Sequence, residues 1–169
     1  KRQDLSWNGE ISTALSSVLK TLRKAAGCSP LEGIEHEFEN LFIGLGRGEI
    51  VPYASWYAEK VVMGAPLVRL RGDLVKLGIS RQINVFEPED HAAALLETMA
   101  LIIRNPKISR TQQTVFFYRH IHPWMIRFFQ DLQQAPSARF YRSVGSLGEQ
   151  FLQVEKQHLH AKETRRTTT

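Results

Sequence analysis

The chain has 169 residues, 43% of them hydrophobic and 23% charged, which suits one globular domain with a real core and excludes an intrinsically disordered polymer. No apolar run approaches the roughly 20 residues of a membrane span, and a lone cysteine, Cys28, excludes an internal disulfide and any Cys-pair metal or redox motif. Lys and Arg outnumber Asp and Glu by 22 to 17, but the excess is thinly spread and does not interleave with aromatics, so neither a nucleic-acid partner nor stable membrane insertion is expected.

In chain order, Ile11, Leu15, Val18, Leu19 and Leu22 recur at helical spacing and predict a helix from about Ser12 to Arg23, with Gly27 as its stop. Ser29-Pro30-Leu31-Glu32 reads as a capping box with proline at the first position, opening a helix that carries Leu31, Ile34, Phe38, Leu41 and Phe42 on one face. That helix ends in Gly44-Leu45-Gly46-Arg47-Gly48. A dinucleotide fingerprint needs a strand before its glycines and a helix after them, and neither surrounds this run.

Pro52-Tyr53-Ala54-Ser55-Trp56-Tyr57 opens a short helix expected to continue through Val61 and Val62 to Gly64, its aromatics packed inward as such stripes usually are. Pro66 opens the next, with Leu67, Leu70, Leu74 and Leu77 closed by Gly78, and a polar linker runs from Ile79 to Phe86. Glu87-Pro88-Glu89-Asp90-His91 then reads as a helix start: Pro88 suits the first position, and acids gather where the helix dipole favours them. Leu95, Leu96, Met99, Ile102 and Ile103 follow until Asn105-Pro106.

Ser109-Arg110-Thr111-Gln112 is a second capping box, after which Pro123, in His120-Ile121-His122-Pro123-Trp124, interrupts or kinks the helix. Met125, Phe128, Phe129 and Leu132 mark a helix that stops near Ala135-Pro136. Ser137 opens the last, with Phe140, Val144, Leu147, Phe151 and Val154, before a flexible polar tail from Glu163 to Thr169. Nothing alternates with period two, so the fold class is all-α: a single-domain bundle of about seven helices over residues 1–169.

His91, His120 and His122 with Glu87, Glu89 and Asp90 hold enough donors for a metal, but His120 and His122 are two residues apart and diverge on a helix. A metal- or nucleotide-dependent enzyme built on Asp90, His91, His120 and His122 is therefore the second reading. No Ser or Cys nucleophile sits in a recognisable elbow. A concentrated turn of acids and histidine beside proline-marked aromatic loops suits peptide binding better than catalysis, with no cofactor or metal called for.

Glu87-Pro88-Glu89-Asp90-His91 opening a helix, with His120-Ile121-His122-Pro123-Trp124 and Phe128-Phe129 one helix later, resembles the TorD, DmsD and NarJ family of redox-enzyme maturation chaperones. Leu41-Phe42-Ile43-Gly44 through Pro52-Tyr53-Ala54-Ser55-Trp56-Tyr57 to Gly64 is similar to that family's second signature, and the two together cover roughly Phe38 to Leu132. The resemblance implies a cytoplasmic, all-helical, non-catalytic protein that binds the twin-arginine leader, or a corresponding N-terminal segment, of a molybdenum-cofactor enzyme and holds it back until the cofactor is inserted. It carries leader binding onto Phe38, Leu41, Phe42, Pro52, Tyr53, Ser55, Gly64, Asp90 and His91, while Glu87 serves either the leader or the helix.

Chemistry is compatible with that assignment, since carboxylates accept charge-assisted hydrogen bonds from guanidinium groups and Phe42 and Tyr53 supply apolar and cation–π contact. Two departures stand beside it. The family begins with a further apolar helix for which this chain has no room, so the chain is expected to be truncated, or to exist either as a monomer or as a dimer completed by domain swapping. A basic chain also repels a basic leader overall, which places the burden on a local acidic patch.

Overall fold

A computed structural model describes the backbone of residues 2–164 and the side chains of residues 13–159. The regular elements among the described residues are all helices, with one isolated β-bridge, between Tyr53 and His91. No helix among them is long and apolar enough to cross a membrane. They form two compact units, one of residues up to Ile50 together with Ile126 onward, the other Val51–Met125.

In the first unit, α1 (Arg2–Cys28) packs along α8 (Phe140–Thr164). The expected face of α1 is half-buried at Leu15, Val18 and Leu22, whereas Leu19 is exposed and the Ile11 side chain lies outside the described residues. Gly27 does not stop this helix. A lone glycine costs only about 1 kcal/mol against alanine, and the chain leaves the α region only next to Pro30, which excludes it there.

Pro30 is the N-cap of α2 (Leu31–Phe38) rather than its first residue, and no side chain caps it, so the expected Ser29 box is absent. The helix widens into a π-turn, Glu39–Ile43, ended by Gly44 at φ +60°. The following loop folds straight back: Glu49 and Ile50 donate their N–H groups to the carbonyls of Asn40 and Leu41. A β-carbon on Gly48 would sit in the Leu41 carbonyl and one on Gly44 in the Arg47 carbonyl, so these two glycines let backbone approach backbone.

At the other end of the unit, α7 (His122–Gln134) is buried through Phe128, Phe129 and Leu132. α8 crosses it at Gly145 and Gly148, where a β-carbon would meet the Phe129 carbonyl and the Phe129 ring respectively. The buried stripe of α8 runs through Ser143, Leu152 and Leu159, and the expected Phe151 is exposed, because that crossing fixes the helix rotation. Ser137 does not open α8. It lies in the preceding turn, donating its N–H and hydroxyl to Glu49, while the buried Glu37 carboxylate accepts from the N–H groups of Arg139 (2.7 Å), Phe140 (3.0 Å) and Tyr141 (2.7 Å). A glutamate of α2 thus caps α8 from about 100 residues away, meeting three of the N–H groups left free at its start. Of the tail, residues 165–169 lie outside the described residues.

In the second unit, α3 (Ala54–Glu59) is shorter than expected, because Lys60 turns left-handed at φ 59° and leaves Val61 and Val62 exposed. Its small residues Ala54 and Ser55 are buried, and its aromatics Trp56 and Tyr57 only half so, reversing the expected packing. α4 (Ala65–Lys76) follows the expected stripe of Leu67, Leu70 and Leu74, with Gly78 left-handed just beyond it.

α5 (Ala92–Arg104) buries Leu95 and Ile102, while Ile103 faces outward. The Ser109 capping box forms in full at the start of α6 (Arg110–Phe116). A second π-turn, Phe117–Ile121, interrupts the α-helix just ahead of Pro123, and α7 resumes at His122. The wider turn leaves room for the pyrrolidine ring, and the indole of Trp124 donates to the His120 carbonyl at 2.9 Å.

Candidate functional site

In the second unit two segments far apart in sequence are stitched together by backbone. Ala54 donates its N–H to the Asp90 carbonyl (3.0 Å) and Ala92 donates to the Pro52 carbonyl (2.8 Å), which makes Tyr53 and His91 an antiparallel pair. Their rings meet edge to face, with centroids 5.2 Å apart. The Tyr53 hydroxyl donates to Oε1 of Glu87, whose side chain is exposed and whose Oε2 has no hydrogen-bond partner among the described residues.

The Glu87–His91 stretch is therefore not the first turn of a helix. His91 is the N-cap of α5, its Nδ1 accepting from the Ala93 N–H at 3.2 Å, and residues 88–91 form a turn closed by the His91 N–H on the Pro88 carbonyl. Pro88 suits such a turn as well as a helix start, and the local pattern does not distinguish the two. The three carboxylates do separate jobs rather than pooling at one helix dipole.

Glu89 is gripped by Arg71, whose Nε and Nη2 donate at 3.0 and 2.9 Å, and by Arg81 at 3.4 Å. Burial alone would raise its pKa, but the hydrogen bond from Arg71, its own backbone N–H and the two guanidinium charges outweigh this and hold it below the usual range. Asp90 is wholly buried, and its Oδ2 accepts from the Ser55 N–H at 2.9 Å, capping α3 from outside. Its Oδ1 is buried without a hydrogen-bond partner. The aspartate expected to face a ligand instead faces inward, toward the start of α3, whose N-cap Tyr53 supplies no side-chain cap of its own.

The remaining expected site residues sort in the same way. Pro52 and Ser55 are buried in the frame, the Ser55 hydroxyl accepting from the Met63 N–H at 3.2 Å. Gly64 is the N-cap of α4, where a β-carbon would strike the Glu59 carboxylate that accepts from the Ala65 N–H at 3.1 Å. In the first unit Leu41 is fully buried core, while the rings of Phe38, 44% exposed, and half-buried Phe42 lie 5.2 Å apart and 6.3 and 5.4 Å respectively from the Tyr141 ring, centroid to centroid. Tyr141 was not among the expected residues, since nothing near it in sequence ties it to Phe38.

Burial and the neighbouring carboxylates push the Tyr53 phenol far above its ordinary pKa, so it stays a hydrogen-bond donor. Burial also holds His91 below the ordinary 6.5, overcoming Glu87 and Asp90, and holds His120 below it despite the Asp73 carboxylate 2.9 Å away. Both imidazoles therefore bind protons less readily folded than unfolded. Their contribution to stability is complete above about pH 6.5 and is lost as pH falls below it. The midpoint of thermal unfolding should drop between pH 7 and pH 5, and a His91→Asn, His120→Asn double variant should show a smaller drop. A midpoint that rises on acidification would contradict this.

Asp90 and His91 stand on the stitched turn, His120 pairs with Asp73, and among the described residues no three His, Cys, Asp or Glu side chains are grouped to hold a metal ion. The four residues of the enzyme reading do not converge.

Among the described residues the protein is helical without a strand, and it carries an exposed carboxylate, Glu87, paired with the Tyr53 hydroxyl on a backbone-stitched turn. Residues 8–130 match the family model described as nitrate reductase delta subunit, and the chain belongs to that family. It is 29% identical over 130 residues to the chaperone protein TorD of Vibrio cholerae, covering 71% of this chain and 59% of that one. It is also 29% identical over 131 residues to the probable Tat proofreading chaperone DmsD of Haemophilus influenzae, covering 76% and 63%. Against the TorD of Aliivibrio fischeri it is 23% identical over 168 residues, covering 92% and 78%. The chain thus spans about three fifths of the length of the first two relatives.

Proposed function

We propose that this protein is a system-specific chaperone that binds the twin-arginine leader, or an equivalent N-terminal segment, of a molybdoenzyme in the cytoplasm and retains it for cofactor insertion, with no catalytic turnover. The observation that carries the reading is the exposed Glu87 carboxylate, oriented by the Tyr53 hydroxyl on Oε1 and with Oε2 unbonded among the described residues. A guanidinium is the cation that best matches a carboxylate oxygen beside an aromatic ring. The names of the relatives, chaperone protein and Tat proofreading chaperone, support the same reading.

On this reading Tyr53, Glu87 and His91 touch the leader. Pro52, Ser55, Gly64 and Asp90 frame that face, Leu41 supports the helix beneath Phe42, and Phe38 and Phe42 offer apolar surface. A charge-assisted hydrogen bond contributes about 1.5–3 kcal/mol, so Glu87→Gln should weaken leader binding about tenfold or more while leaving the fold intact. Calorimetric titration with a synthetic twin-arginine leader tests this. A wild-type chain that binds neither leader nor molybdoenzyme precursor sinks the function, whereas Glu87→Gln and Tyr53→Phe binding like wild type sinks only the site.

A further inference from the structure

On the second unit, α4 and α6 enclose a cleft of about 190 Å³ that the leader reading does not use. Leu77, Val115 and the buried Phe116 supply its apolar surface, with Thr111 and Gln112 at one side. Around it Asp73 binds three cationic or potentially cationic groups: Lys76 (2.8 Å), Arg119 (3.0 Å) and His120 (2.9 Å). Arg69 also acts on the His120 ring. With the imidazole neutral, Lys76 and Arg119 face the one carboxylate of Asp73, so the charged groups lining the cleft are net positive.

Size narrows the ligand. Ligand pockets for drug-sized molecules run from about 300 Å³ upward, so a nucleotide is too large, whereas about 150 Å³ already accommodates benzene. One leucine- or phenylalanine-sized side chain fits. Position narrows it further, because Arg71 and Asp73 are about 200° apart around α4. Arg71 reaches the acidic turn and Asp73 lines the cleft, so one helix separates a face that selects cations from one that selects anions.

We propose that the α4–α6 cleft is a second docking point, taking a large apolar side chain from an acidic peptide segment of a protein partner. The apolar side chain fills the space over Phe116, and flanking Asp or Glu residues meet Lys76 and Arg119, adding local charge complementarity to burial. The site is independent of Glu87 and Tyr53.

The test uses a fluorescent, end-capped Glu-Asp-Leu-Phe-Asp-Glu peptide, one control with its acids replaced by lysine, and another with Leu-Phe replaced by Ser-Ser. Anisotropy should show the acidic peptide binding at least tenfold more tightly than either control, with affinity falling as salt rises. Val115→Glu, at a side chain 54% exposed, should remove that binding with an unchanged far-ultraviolet spectrum, and Val115→Ser should weaken it. Both variants should titrate a twin-arginine leader like wild type. Equal binding of the lysine control, full competition by millimolar inorganic phosphate, or Val115→Glu binding like wild type overturns the proposal. Loss of leader binding in Glu87→Gln with the acidic peptide still bound leaves it standing.

Discussion

Glu37→Ala should lower the unfolding free energy of this protein by about 3–5 kcal/mol, a large share of the 5–15 kcal/mol that holds a typical domain. The substitution removes an acceptor for three backbone N–H groups at the start of α8, and no other described group accepts from them. It also removes a negative charge placed at that helix end, where the macrodipole favours one. The carboxylate is 7% exposed, so water has little access to replace it. Glu37→Gln should cost less, since an amide oxygen keeps part of the set while its NH₂ opposes the remaining N–H. Guanidinium denaturation followed by circular dichroism measures both, and an alanine variant within 1 kcal/mol of wild type would show that the cap is dispensable.

Asp90→Ala should cost about 2 kcal/mol, and its effect on ligand binding should follow from that loss of structure. Removing the carboxylate strips α3 of its external cap by leaving the Ser55 N–H buried without an acceptor, a loss worth about 1–3 kcal/mol. Relief of the buried, unpartnered Oδ1 offsets part of this. Asp90→Asn keeps the bond to Ser55 and converts the orphan acceptor into a donor, so it should remain close to wild type in stability. Thermal melts and leader titrations on the same preparations separate the roles. If Asp90→Asn is as stable as wild type yet binds leader more than tenfold more weakly, Asp90 contacts the ligand and its placement as frame is wrong.

The sequence made the fold class legible because periodicity is a local property. The stripe of α4, the capping box of α6 and the stop at Asn105-Pro106 each depend on residues within one or two turns, and each formed as expected. Misreadings arose where a distant group decided the outcome. Glu37 reaches about 100 residues to cap α8, and Asp90 reaches 35 to cap α3; neither leaves a sequence signal, because any acid within reach satisfies the geometry. The π-turns at Glu39–Ile43 and Phe117–Ile121 likewise carry no local mark, yet each resets the helix face beyond it by about one residue.

The site followed the same division. Resemblance located the stretches around Tyr53 and Glu87–His91, and the structure joins them, but it also turns Asp90 and Ser55 inward and leaves Glu87 as the exposed acid. A sequence motif marks positions and does not say which side chains face the solvent. Glu89, read at first as helix-favouring charge, is instead held by two arginines, a role visible only when Arg71 and Arg81 are placed beside it.

The bridge between Tyr53 and His91 is made of main-chain groups alone, the N–H of Ala54 and Ala92 on the carbonyls of Asp90 and Pro52. Frame and lining are thus written in different parts of the polymer. Exchanging the side chains at 53 and 87 removes the Tyr53–Glu87 hydrogen bond but leaves the two main-chain hydrogen bonds that join the segments, so the surface of the turn can change while its scaffold is kept. A proline at position 54 or 92, by contrast, would remove one of those N–H donors and dismantle the face whatever its side chains.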